Sequence, residues 1–450
     1  MDMLGLSAWL THPARHLRTS AARPLILGLA LLVGTSLAAA PGVAAADGSS
    51  SVSFMVFGDP AELAAYQELV TAFEEAHPDI DIELIHIPSQ SDYRLRLGAD
   101  FAAGSPADVV LINYRRYAPF AAMGVLEPLA PYLRGSDVIS DADFFAEASD
   151  AFRWRGQLMC IPQNISSLVV YYNKDLFDTA GVPFPADDWT WDDFLSTAQT
   201  LTRDLDEDGV IDQYGLGTEA SIFRLAPFVW QNGGQLVVLE RGVEPIRLAL
   251  DSRPAREALE WFVDLQVEHG VVPDAVAEAA QDSESRFIDG TTAMFLNSRR
   301  GVPTYRDIES FDWDVAALPR RVESAGILHS DAYCMAAATE DKDAAWTFIE
   351  YANSPGGQTI VARSGRTVPS LIEVASSEAF LDPTVKPANS RVFLDTVPLL
   401  RGVPVIPAWV EIEELTGDEL ERAFYGDASV DEVIPSMITR TTPLFAEAEG

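Results

Sequence analysis

The feature that most constrains this chain is a five-residue run, Asp108-Val109-Val110-Leu111-Ile112, with four apolar residues in unbroken succession. A half-solvated strand alternates in polarity. A continuous run of β-branched and aliphatic residues is the mark of a strand covered on both faces, as in a parallel sheet flanked by helices. The preceding segments fit that setting. Ser51 to Phe57 reads as a strand that ends at Gly58. Asp59 and Pro60 then supply an N-cap and a first helical residue. Leu63, Tyr66, Leu69, Val70 and Phe73 recur at three- and four-residue spacing on one helical face, which His77-Pro78 terminates. Ile80, Ile82 and Leu84 alternate with acids as a second strand, and Asp92 to Ala103 returns to helix. Strand, helix, strand, helix, strand is the opening of a doubly wound α/β domain. Such sheets place ligands beyond the carboxyl ends of their strands. Here that rule selects Phe57 and Asp59 after the first strand and Asn113 and Tyr114 after the third.

The chain has 450 residues, enough for two or three domains, and a formal net charge of −37. A surface of that sign repels nucleic acid and anionic lipid, so no nucleic-acid partner is expected. Residues 1–46 read as a cleaved signal peptide. Arg15, Arg18 and Arg23 precede the apolar stretch Leu25 to Val33, and an alanine-rich exit spans Ala38 to Ala46. Neither cysteine, Cys160 or Cys334, follows that stretch closely enough to take a lipid anchor. A periplasmic or secreted protein is therefore expected. In such a compartment the two cysteines are either a disulfide or two buried thiols.

Further along, six segments in order carry a resemblance. They are Gly104-Ser105-Pro106-Ala107-Asp108-Val109-Val110, Gly124-Val125-Leu126-Glu127-Pro128-Leu129, Gly156 to Pro162 followed by Tyr171 to Phe177, Trp189-Thr190-Trp191-Asp192-Asp193-Phe194, Trp230-Gln231-Asn232-Gly233-Gly234, and Phe287 to Met294. Together they resemble the family 1 extracellular solute-binding proteins, the group that includes maltose-binding protein. The likeness runs over nearly all of residues 51–445. It implies an α/β fold of the two-lobed periplasmic-binding-protein type, with a hinge and a ligand cleft between the lobes. The lobes would be discontinuous: 47–160 with 329–395, and 165–325 with 398–450, joined at 161–164, 326–328 and 396–397. It also implies a non-enzymatic, monomeric receptor that delivers a sugar, acidic sugars included, to the transmembrane subunits of an ABC permease.

A saccharide site needs aromatic platforms for C–H faces and many directional polar groups for hydroxyls. Trp230 is the first candidate platform, because the segment it resembles lies at the cleft in the family, and Trp409 is the second. Trp154, Trp189, Trp191, Trp261 and Trp346 sit in core patterns. Asn297 and Arg299 follow an apolar strand whose end faces ligand in the resembling family. There the family often has Gly and Trp, and this chain has an arginine pair, a donor type suited to carboxylates. His329, Ser330, Asp331 and Tyr333 lie where the chain returns to the first lobe. Asn164 lies in the crossover, and Arg366 lies in a loop resembling a ligand-touching one.

Asp204, Asp206, Asp208, Gly209 and Asp212 match positions 1, 3, 5, 6 and 9 of a calcium loop, but Gly215 stands where the closing glutamate belongs. No cofactor is required by this reading, and Ca2+ would be structural. The rival readings are a secreted carbohydrate-active hydrolase, and the same fold carrying iron (Tyr171-Tyr172) or a polyamine (Asp59, Asp331, Glu411). The chain contains no Gly-x-Ser-x-Gly elbow, and after the expected signal peptide it has no His-x-x-x-His pair.

Overall fold

The computed structural model describes residues 50–446, so the expected signal peptide lies outside the described residues. Two separate sheets organise the chain. In the first, Ser50–Phe57 lies parallel between Ile80–Ile87 and Val109–Asn113. Helix Pro60–Ala76 starts as the sequence predicts: Asp59 accepts from the Glu62 amide and Pro60 opens the first turn. The expected double coverage of the third strand holds, with Val109, Val110, Leu111 and Ile112 all buried.

The first sheet is completed from far away in sequence. Asp331–Ala336 inserts antiparallel beside Val109–Asn113, and also pairs Leu126–Glu127 and Cys160–Pro162. That register sets Cys334 opposite Cys160, and the two form a disulfide closing 174 residues of sequence. Pro162 closes the short strand Cys160–Pro162, while Gln157–Leu158 pairs separately with Arg153–Trp154. Proline is tolerated there because it is a terminal residue that need not donate to the ladder.

The second sheet has the order Trp313–Ala316, Val169–Asn173, Thr292–Asn297, Tyr214–Gly217. Helix Trp191–Leu201 begins at a capping box in which Thr190 and Asp193 serve each other's backbone amides. Trp191 stacks on Trp261 at 4.1 Å and donates to Gln231, so both rings belong to the core. Helices Trp409–Phe424 and Val430–Ala446 pack together and against Arg253–Val267. Asn389, placed by sequence in the first lobe, is held by the second sheet through Asp314 and the Val315 carbonyl.

Three segments cross between the two bodies. One carries Asn164 and Ser166, which bridge to Pro369 and His329. The other two, Gly326–Ile327 and Leu400–Arg401, pair in parallel. No helix among the described residues is long and apolar enough to cross a membrane.

Candidate functional site

A cavity of about 350 Å³ opens where strand ends and helix starts of both sheets converge on the crossing segments. That volume lies at the small end of the ~300–1,000 Å³ typical of small-molecule sites. Among the residues named from the sequence, Phe57, Asn113, Asn164, Asn297, Arg299, His329, Asp331 and Arg366 line it.

The wall built by the first sheet is internally paired. The register of Asp331–Ala336 against Val109–Asn113 puts Asp331 opposite Asn113. Asp331 accepts from the amides of Asn113 at 3.0 Å and Asn164 at 3.3 Å. Arg366 Nε meets Glu62 at 2.5 Å, and its Nη1 reaches Asp59 at 3.3 Å and the carbonyl of Arg300, across the cleft, at 3.0 Å. Glu62 folds back over Gly58. A Cβ there would lie 1.8 Å from the carboxylate, and its φ of 144° also excludes most side chains, so only glycine fits. Burial raises the Glu62 pKa to about 7 against the pull of Arg366. Asp59 itself does not line the cavity; it caps a helix and braces Arg366.

The wall built by the second sheet is less complete. Helix Ile222–Gln231 points its start at the cleft, with Ser221 as N-cap and Phe223 and Arg224 in the first turn. Arg224 is buried, has only long contacts to Glu219 at 3.4 Å and Asn297 at 3.5 Å, and its Nε has no partner. His329 packs against Phe223 with the ring centroids 4.4 Å apart and the planes tilted by 38°, and its Nε2 is unpartnered. Burial, then Arg115, Arg224 and Arg300, hold its pKa well below the usual range, so the ring is neutral. Arg115 spans the cleft, lying 3.9 Å over the Phe223 ring and pairing with Glu413 at 2.5 Å, while the second Glu413 oxygen is buried and free.

Three sequence candidates fall elsewhere. Trp230 is buried near the far end of its helix, seven residues past Phe223, a rise of ~10 Å. It cannot serve as a platform because the helix offers its other end to the cavity. Trp409 is fully buried at the start of Trp409–Phe424 with Nε1 unpartnered, a core residue. Tyr114 is buried, and its hydroxyl accepts from the Val403 amide.

Arg299 reaches the cavity wall, but its guanidinium is spent elsewhere. It donates to the Gly365 carbonyl and to Ser390, and it lies between the rings of Phe380 and Phe393. It meets no carboxylate among the described residues, and burial lowers its pKa to about 9. It therefore ties loops together rather than offering a free fork. Glu62, Arg115, Phe223, Arg224 and Glu413 were not among the residues named. Only the capping serine at Ser221, read as a direction, could have pointed to Phe223 and Arg224.

In the acidic loop, ligand oxygens of Asp204, Asp206 and Asp208 lie within 4.8 Å of one another, a spacing that could hold a cation. Asp204 keeps one buried oxygen without a partner. Asp212, expected as a fourth ligand, instead accepts from the Leu205 amide at 2.7 Å.

Known proteins agree with this architecture. A family model described as bacterial extracellular solute-binding protein matches residues 58–359. The mannitol-binding protein of Pseudomonas aeruginosa is 26% identical over 416 residues, covering 82% of this chain and 87% of that protein. An ABC substrate-binding protein from Listeria monocytogenes, solved with cycloalternan, superposes with a TM-score of 0.80 at 24% identity, covering 88% of this chain and 99% of that one. Maltose-bound MalE3 of T. maritima superposes at 0.75 with 19% identity, covering 88% and 100%.

Proposed function

This chain belongs to the bacterial extracellular solute-binding protein family, and from that premise we propose that it captures a small carbohydrate outside the cytoplasmic membrane and hands it to an ABC permease. The observation that carries the reading is the cavity's set of buried polar atoms left without partners: Arg224 Nε, His329 Nε2 and a Glu413 oxygen. An unpaired buried polar group costs roughly 1–3 kcal/mol. A polyhydroxylated solute supplies donors and acceptors together, as this mixed set requires. The rings of Phe57 and Phe223 offer apolar faces for its C–H surface. The solutes named for relatives support the class, since they include mannitol and maltotriose.

The mechanism is closure. Each half alone makes too few contacts, and a solute touching both favours the closed form and shifts the population towards it. Each net hydrogen bond contributes on the order of 1 kcal/mol. The two halves do no bond-making in this reading. Cleft-bound sugars should therefore be recovered unchanged. A thermal-shift screen across free mono- and oligosaccharides, polyols and uronic acids tests the proposal. At least one should raise the melting temperature, with micromolar or tighter binding by calorimetry. Silence across that panel, or consumption of the bound sugar, would sink it.

A further inference from the structure

A second chamber of about 290 Å³ adjoins the polar one and shares four wall residues with it, Phe57, Gln90, Asn113 and Arg115. Its remaining walls are of a different kind. Tyr93 and Leu97 come from helix Gln90–Ala103, Pro119 and Phe120 from helix Ala118–Ala122, and Val410 from the opposite lobe. Side-chain oxygens on these walls are already engaged. The Tyr93 hydroxyl donates to the Leu111 carbonyl at 2.7 Å, Gln90 accepts from Arg94 at 2.6 Å, and Asn113 accepts from Arg115. What remains are donors: Arg94 and Arg116 also line the chamber, and Arg116 Nε is buried with no partner.

These facts choose between two occupants. A second sugar ring would bury several hydroxyl hydrogens against walls whose few side-chain oxygens already hold partners, and each hydrogen left unpaired costs about 1–3 kcal/mol. An apolar group bearing an acceptor oxygen would fill the carbon walls and meet Arg116. We infer that the second chamber is an aglycone subsite, and that the ligand is a glycoside whose sugar occupies the polar chamber and whose aryl or short alkyl group occupies the apolar one. The inference rests on the carbohydrate reading of the polar chamber. It adds that the natural solute is amphipathic.

The test compares free sugars, methyl glycosides and 4-nitrophenyl glycosides of common hexoses, pentoses and glucuronic acid, in both anomers, by calorimetry. For the sugar that binds, the 4-nitrophenyl glycoside of one anomer should bind roughly tenfold tighter than the methyl glycoside, from burial of the ring. Val410→Trp fills the apolar chamber alone. It should abolish that preference and leave the methyl glycoside within about twofold of wild type. If Val410→Trp does not fold, as judged by circular dichroism and melting temperature, Val410→Asp charges the same wall and should have the same effect. Equal affinity for methyl and nitrophenyl glycosides, or a preference that survives the Val410 variant, overturns the aglycone subsite while leaving the carbohydrate reading intact. Failure of every sugar and glycoside overturns both.

Discussion

The two walls of the cleft are built on opposite principles. On the first-sheet side of the polar chamber the charged groups named hold partners before any ligand arrives: Arg366 with Glu62 and Asp59, and Asp331 with Asn113 and Asn164. On the other side Arg224, Glu413 and the hinge His329 each keep a buried polar atom idle. The contrast teaches that one half is a finished receptor surface, whose shape is fixed by its own bonds. The other half is completed by what it binds. Unsatisfied groups there cost stability in the empty protein and return it on binding.

The comparison can be broken in several ways. The largest effect should come from beneath the finished wall. Replacing Cys160 and Cys334 by serine frees a loop of 174 residues and should cost roughly 5 kcal/mol by the chain-entropy argument, read by urea unfolding with and without reductant. Next is Arg366→Ala, which at pH 8, where Glu62 is ionised, strands its charge and should cost roughly 3–5 kcal/mol in the empty protein. Arg224→Met should instead change unliganded stability by about 1 kcal/mol or less while weakening sugar binding at least tenfold. Equal stability losses in the two arginine variants would erase the distinction between the walls.

The pH dependence of Glu62 sharpens it further. The folded carboxyl holds its proton up to about 7, against an ordinary 4.5, so between those values the folded state binds more protons. The contribution is full below pH 4.5 and is lost as pH rises through about 7. It amounts to roughly 3 kcal/mol. The stability of wild type relative to Glu62→Gln should fall by about that much from pH 4 to pH 8. A flat difference would mean Arg366 keeps Glu62 ionised throughout. The smallest expected effect lies outside the cleft. Calcium added to EDTA-treated protein should raise the melting temperature by a few degrees through Asp204, Asp206 and Asp208, and no shift would remove the cation reading.

Much of the fold was legible because local rules and tertiary context agree. The cap at Asp59, the capping box at Thr190 and the apolar strand ending in Ile112 all occupy the elements their chemistry favours. The strand-end rule also brought Phe57 and Asn113 to one cavity, where the family resemblance had placed Asn297 and Asp331. The choice of platforms failed at the tryptophans. A large aromatic is suited equally to a core and to a platform, and only the direction of its helix decides, which is why Trp230 and Trp409 were misplaced. Arg115 and Glu413 were invisible for another reason. Their pairing joins residues 298 positions apart, and nothing local in either segment announces it.

The late arrival of Asp331–Ala336 has a consequence for how the molecule is made. Its strand sits between Val109–Asn113 and Leu126–Glu127 and also carries Cys334. While the ribosome has delivered only the earlier portion, the first sheet has a gap in its middle and its cysteine has no mate. Early collapse is thereby disfavoured, and structure waits for a distant stretch of chain. In an exported polypeptide, such delayed closure would leave the first sheet open until residue 336 of 450 has emerged.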